Sequence, residues 1–564
     1  MFMLLLDSAL LLLAAALGAF AQEPGQLGSA PLTPVSSALS SSMTIRGVRV
    51  ERLNVFDLSV PGEDWWLFRL ADDIHVKSRE AVVRRELLQE PGQRFSRLKA
   101  LESERNLREL GIFRSADVGA VPRPDGGVDL LARTQDSWTL KLLAGAGTEG
   151  GERYFSYGAS EGNLLGYGKS LSLQHSQSGE IIRDDFFYTD PRLLGSRFRL
   201  SPHFARTNHG DAVETELVEP FFSLDTPRAL DAYWNRSIDE LIIHRDGADF
   251  SKFLLADRTL SAGYGLRQSG GDWLTRRWEL GWYSRKDDFV AEDATAAGSL
   301  PPAQRLSGPT LGYFWVQPRY IKETYINKME RVEDFNLGNE LSLYGGFMGE
   351  ALGSDRDAVL INALDQQGLF LAPGRFVLAQ AGLSGRLENG RWRNALFFAN
   401  LNLFWKVRYP LPQTWVAHLE ANTTKSLDGD GQIVLGGNNG LRGYENYSFT
   451  GARSVLLNLE DRLFLPGEYF HLLRFGAAAF LDSGSVLDSG VGFSPRRFDS
   501  DVGLGLRFSS TRSQSGDVVR ADLAYALNRG PGPGRWVVSI RARQAFQIFN
   551  SSAQNVRAEP ASRL

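Results

Sequence analysis

The run Glu161-Gly162-Asn163-Leu164-Leu165-Gly166-Tyr167-Gly168-Lys169-Ser170 ends in Gly-Lys-Ser, the residue types with which a phosphate-binding loop wraps its ligand. Such a loop needs G-x-x-x-x-G-K-[ST] with a helix starting at once behind it, so that backbone N–H groups and the helix terminus face the phosphates. Asn163 stands where the first glycine belongs, and Leu171-Ser172-Leu173-Gln174-His175-Ser176 alternates apolar and polar, the periodicity of a strand. Gly145-Ala146-Gly147-Thr148-Glu149-Gly150 spells G-x-G-x-x-G, yet Arg153 to Tyr157 behind it also reads as strand. The glycines therefore read as bend and hairpin residues. No other chemistry replaces them. Histidines number seven and cysteines zero, and no H-E-x-x-H, G-x-S-x-G or EF-hand spacing occurs. No catalytic set, metal or cofactor is expected, although charged walls inside a barrel could imitate an acid/base pair.

The elements that must position these residues follow from composition. Within 564 residues, Met1 to Ala21 carries an apolar run from Leu10 to Phe20 and ends Ala19-Phe20-Ala21, the pattern of a secretory signal peptide, although Asp7 sits where a basic residue is usual. A short N-terminal membrane helix is the alternative reading. Residues 22–42, rich in Pro, Ser, Gly and Ala, read as a flexible linker. With 62 basic against 66 acidic residues, nucleic-acid binding has no bulk electrostatic support. No later apolar run reaches the length of a membrane helix. Abundant aromatics (11%) and 58 glycines suit many strands, many turns and aromatic girdles.

Residues 43–136 form an α+β module in the order β-α-α-β-β. Ile45 to Phe56 is a strand; Ser78 to Gln89 is a helix with Ser78 as N-cap; Ser96 to Leu110 is a second helix stopped by Gly111. Strands Phe113 to Val121 and Gly127 to Thr134 flank the turn Arg123-Pro124-Asp125-Gly126. From Trp138 onward, segments of alternating character recur. Trp278, Leu280 and Trp282 oppose Glu279, Tyr283 and Arg285, and Phe397, Ala399, Leu401, Leu403 and Trp405 oppose Asn400, Asn402 and Lys406. Asn389-Gly390 marks a tight hairpin. Alternation alone fits a soluble sandwich as well. Length favours a transmembrane antiparallel β-barrel over 138–549, because at about 25 residues per strand and connection this stretch makes about sixteen strands, and closure leaves no unpaired edge in lipid. Residues 550–564 read as a C-terminal tail beyond the last strand, with Phe546 and Phe549 close by.

Several ordered segments resemble the BamA/TamA family of outer-membrane assembly and translocation barrels. Glu102 to Phe113 (ESERNLRELGIF), with Gly127 to Leu130, looks like a POTRA module. Asn163-Leu164-Leu165-Gly166-Tyr167-Gly168 is similar to the Asn-Leu-Leu-Gly-x-Gly segment of the family's first strands, which implies that Gly162, Gly166 and Gly168 shape an early hairpin. Gly436 to Tyr444 (GGNNGLRGY) resembles the family's long loop with an Arg-Gly-Tyr/Phe tip that folds into the lumen. Gly451 to Asp461 carries Glu460, and Phe480-Leu481-Asp482-Ser483-Gly484 matches the Phe-x-Asp-x-Gly segment of the next strand. Independently of the resemblance, Asn458, Glu460 and Arg462 share one face of their strand, and Asp482 shares parity with Arg474. Both carboxylates should then face the lumen, where Arg442, Gly443 and Tyr444 would lower an arginine between them.

The resemblance implies a short, single-POTRA member in the outer membrane, with the POTRA module in the periplasm. Its clients would be unfolded outer-membrane or secreted proteins, captured by adding an extended segment to a strand edge. Outer-membrane lipid and periplasmic accessory proteins would be further partners, and the barrel would open at the seam of its first and last strands. The alternative is a passive, substrate-specific or dedicated secretion pore in which the inserted loop is a plug.

Overall fold

The computed structural model describes residues 43–149, 152–492, 494–514, 516, 518–532 and 534–542. The signal peptide, the linker, Phe546, Phe549 and the C-terminal tail lie outside the described residues.

The N-terminal unit runs β1 (Ile45–Leu53), α1 (Trp66–Ile74), α2 (Glu80–Glu86), α3 (Arg97–Glu109), β2 (Phe113–Pro122) and β3 (Val128–Asp136). Its sheet has the order β1-β3-β2, with β1 parallel and β2 antiparallel to β3. Ile45, Val83, Leu107, Ile112, Val128 and Leu130 form the core between this sheet and the helices. Ser96 caps α3 by accepting the Lys99 N–H, and Gly111 takes a positive φ just beyond its end. Two expectations need correction. Ser78 does not cap α2; the cap position is Arg79, whose side chain makes no capping bond. Ser78 instead accepts from Asn163 Nδ2 at 2.8 Å, while its N–H donates to Asp136 at 2.6 Å. In addition, α1 is an extra helix inserted into the expected β-α-α-β-β order.

Among the described residues the long sheet closes into an antiparallel barrel of twenty strands, where about sixteen were expected. The average of 25 residues per strand failed because the first six strands are short and tightly joined: β4 (Leu140–Glu149), β5 (Glu152–Glu161), β6 (Ser170–Ser178), β7 (Ile181–Thr189), β8 (Arg199–Thr207) and β9 (Asp211–Glu219). The other fourteen run from Arg228–Arg245 to Trp536–Ala542, and the last lies beside β4. Asn389 and Gly390 both have positive φ and turn one strand directly into the next, as that dipeptide predicts. Side chains alternate in and out along each strand. Trp234, Leu260, Leu280 and Trp282 point outward and exposed, whereas Asp257, Arg386, His418 and Arg520 are buried within. Among the described residues no helix is long and apolar enough to cross a membrane.

The N-terminal unit seats on one mouth of the barrel through two similar turns. Leu164-Leu165-Gly166 and Leu193-Leu194-Gly195 each form a short 3-10 turn with the central leucine at φ 51°. Gly166 accepts the Arg79 N–H at 2.8 Å, and Arg79 stacks over Tyr167. Arg192 meets Glu86 at 2.5 Å. Gly166 holds φ +75°, and a Cβ there would stand 2.6 Å from the Lys77 carbonyl oxygen. Gly166→Ala is therefore expected to cost about 2 kcal/mol at this contact. Hydrogen exchange at the Arg79 amide, about thirtyfold faster than wild type, is the measurement.

A second feature guards the same mouth. Between the strands Gln304–Val316 and Asn339–Met348, Tyr320–Glu323 pairs with Glu333–Asn336 as a small hairpin. It folds into the lumen and buries Ile326, Phe335 and Leu337 against Phe376, Phe404 and Val416 of the inner wall. Its rim is tied to α3 by Arg108, which reaches both Asp334 oxygens at 2.7 Å, and by Lys322 against Glu104. Beside it a polar cavity of about 570 Å³ lies between α3 and the barrel mouth. Burial pushes the Glu102 carboxyl there up, opposed by the Leu224 N–H it accepts at 2.8 Å.

Candidate functional site: an arginine clamped in the lumen

The connection 426–452 enters the barrel from the opposite mouth. A stem pairs Ile433–Leu435 with Phe449–Gly451, and the tip closes through Leu441 N–H to Gly436 O at 2.9 Å and Tyr444 N–H to Leu441 O at 3.1 Å. Leu441 and Tyr444 are buried against Leu456 and Ala526 of the wall, so apolar contacts seat the tip. The Tyr444 hydroxyl donates to the Ser500 carbonyl at 3.0 Å. Gly443 is needed for close approach: a Cβ there would stand 2.4 Å from Asp501 Cβ.

The strand pair Arg453–Phe464 and Leu473–Leu487 supplies the partners. Asn458 lies opposite Asp482 and Glu460 opposite Phe480, so all four share the inner face. Arg442 Nε and Nη2 grip the two Asp482 oxygens at 2.7 and 2.8 Å, and Nη1 reaches Glu460 at 2.5 Å. Its own N–H also donates to Asp482 at 3.3 Å. The guanidinium plane lies over the Phe480 ring, 3.4 Å from its centroid. Asn458 Nδ2 donates to Asp482 and to the Gly440 carbonyl, both at 2.7 Å. Glu460 is shared with Arg462 at 2.9 Å and Arg507 at 3.8 Å, and Arg507 continues to Asp522 at 2.5 Å. Arg442, Glu460 and Asp482 are all buried. With arginines on both carboxylates and the Asn458 amide also on Asp482, the loop arginine is clamped to the wall.

The structure thus brings Arg442, Gly443, Tyr444, Glu460 and Asp482 to one place. It puts Gly162, Gly166 and Gly168 elsewhere, in the β5–β6 connection against the N-terminal unit, where a Cβ on Gly162 would collide with Gln514 and one on Gly168 would touch Val82. The sequence reading put Asn458 and Arg462 on the face of Glu460 but not into the site, and it gave Phe480 and Arg507 no part in it. Phe480 was legible by parity with Asp482, and the second Leu-Leu-Gly turn was legible as a repeat of the first.

Among the described residues two groups of side chains bring metal-ligand types within 4.8 Å of one another, Glu63/Glu468/His471 and His209/Glu240/Glu292. In the first, Arg512 already supplies the positive charge, 2.6 Å from Glu63 and 3.2 Å from Glu468. In the second, Lys252 is within electrostatic range of Glu240.

A closed antiparallel barrel with a loop arginine clamped inside it and an α/β unit at its mouth defines the class. More particularly, the chain is 33% identical over 130 residues, 21% of its length, to the outer membrane protein assembly factor BamA of Neisseria meningitidis, and the match spans 16% of that protein. No family model matches the chain. Among solved structures it is similar to BamA from Haemophilus ducreyi lacking POTRA domains 1-3 (14% identity, 88% of this chain and 83% of that one, TM-score 0.33). It is also similar to CdiB from Acinetobacter baumannii (12%, 95% and 97%, TM-score 0.45) and CdiB from Escherichia coli (12%, 88% and 76%, TM-score 0.42).

Proposed function

We propose that this chain is an outer-membrane barrel that inserts other proteins into the membrane or translocates them across it. The outward apolar face meets lipid, and the α/β unit acts as a periplasmic POTRA-like module. An unfolded client would add its extended segment to an edge strand of that unit's sheet, where main-chain bonds make recognition tolerant of sequence. The seam between β4 and Trp536–Ala542 is the place for the wall to part. There Tyr154 of β5 donates to the Ile540 carbonyl at 2.6 Å.

The carrying observation is the buried Arg442 clamp inside a closed barrel. The partial match to BamA supports the same reading. A passive pore fits less well, because a loop fills the lumen from one end and the hairpin around Ile326 fills it from the other. An open conduit has no use for either.

Liposomes holding the full chain should raise the folding rate of an added, urea-unfolded small barrel, read as the fraction that runs compact on unboiled gels. In planar bilayers the same protein should show brief openings over a closed baseline. A steady porin-like current with no acceleration of client folding would replace this function by the pore.

A further inference from the structure

The inserted helix α1 carries a surface that none of the described residues covers. Trp66, Leu67, Leu70 and Ile74 recur at helical spacing on its outer side, flanked by Trp65 and Val76, and Trp66 and Ile74 are 62% and 58% exposed. The opposite side is anchored: Phe68 stacks on Phe56 with ring centroids 4.4 Å apart, and that cluster packs on Trp138 and Leu472 of the barrel rim. Both ends are pinned. Glu63 pairs with Arg512 at 2.6 Å, and His75 Nε2 lies 3.0 Å from Asp136. The apolar face is therefore fixed in place, and among the described residues it stays uncovered despite being rich in tryptophan.

Its position says what covers it. Trp138 leads into β4, Leu472 leads into Leu473–Leu487, and Arg512 follows Asp499–Ser510, so α1 sits under the wall section that includes the closing seam. The neighbouring rim continues the patch, with Phe470 75% exposed in the turn before Leu473 and Leu142 85% exposed on β4. Charge excludes an electrostatic partner of acidic character: Asp57, Glu63, Asp64, Asp72 and Asp73 stand against Arg69 and Lys77 in this insertion. Tryptophans beside leucines at the edge of an outward apolar band are the composition of a membrane interface.

We propose that α1 is an interfacial helix seated in the periplasmic leaflet of the outer membrane, holding the α/β unit against the phospholipid surface beside the first barrel strand. This rests on the reading that the outward face of the barrel meets lipid. Attachment is apolar, so it needs no anionic lipid and survives salt.

The chain has no cysteine, which allows single nitroxide labels on the full protein in phosphatidylethanolamine/phosphatidylglycerol nanodiscs. Labels at Leu70→Cys and Ile74→Cys should collide with oxygen several-fold more than one at Glu90→Cys, an exposed position on the same unit. Their access to a water-soluble nickel chelate should fall to that of a label at Leu280→Cys on the outward barrel face. If Leu280→Cys is in lipid while positions 70 and 74 behave like 90, the helix proposal is wrong and the barrel reading stands. If Leu280→Cys is also in water, the membrane reading fails and takes this one with it. Loss of the oxygen signal in high salt would equally overturn apolar attachment.

Discussion

Arg442→Ala is expected to destabilise the folded barrel by about 3 kcal/mol and to release the loop it carries. The cost falls unevenly on the two carboxylates. Asp482 loses both arms of a bidentate grip and keeps the Asn458 amide at 2.7 Å, whereas Glu460 keeps Arg462 at 2.9 Å. Breaking a buried pair costs about 3–5 kcal/mol where the surviving charge is left bare; these residual donors put the variant at the lower end. Arg442→Lys separates charge from geometry. A lysine retains the positive charge but cannot fork across Asp482 or lay a plane on Phe480, so it should recover about half of the loss. The measurement is the urea midpoint at which the compact unboiled band disappears, together with protease cleavage within 426–452. An alanine variant within about 0.5 kcal/mol of wild type, its loop still protected, would remove the clamp.

The inward carboxylates were legible because strand parity is a local property with long reach, whereas the insertion of Arg442 between them was implied only by the family resemblance. Once Leu457 and Leu459 are assigned outward, Glu460 must point in, and Asp482 follows on the adjacent strand by the same count. Loop tip, carboxylate strand and Phe-x-Asp-x-Gly strand also stand in chain order with short connections. The strand count was not legible in this way. It rested on an average length, and β4 to β9 depart from it because their turns are short. Helix α1 was missed although Trp66, Leu70 and Ile74 mark one helical face, since Pro61-Gly62 just before them reads as a break. The hairpin around Ile326 carried no signal at all. Some of its bonds are accepted by its backbone carbonyls from residues far along the chain, and sequence cannot show which carbonyl an arginine will find. Arg462 is the plainest case: inward by parity, its second partner is the Ile326 oxygen.

That partner makes Arg462→Met the second large effect. The buried guanidinium donates to Glu460 at 2.9 Å and to the Ile326 carbonyl at 2.6 Å, so it joins the loop descending from one mouth to the hairpin rising from the other. Methionine keeps much of the volume and loses both bonds. A hydrogen bond involving a charge contributes about 1.5–3 kcal/mol, and Glu460 still holds Arg442, so the single variant should cost about 2–3 kcal/mol. The hairpin should loosen first. Amides of Ile326, Asn327 and Lys328, all donating to Glu333 at 2.9–3.2 Å, should exchange faster than in wild type. The Arg108–Asp334 tie to α3 should hold, because it lies at the hairpin's other end. Combining Arg462→Met with Arg442→Ala leaves Glu460 only Arg507, at 3.8 Å, among its described cationic partners. The double variant should then lose about 1–3 kcal/mol more than the two singles together. A simple sum would mean that the two plugs are held independently, and that nothing felt by the N-terminal unit reaches the loop through Glu460.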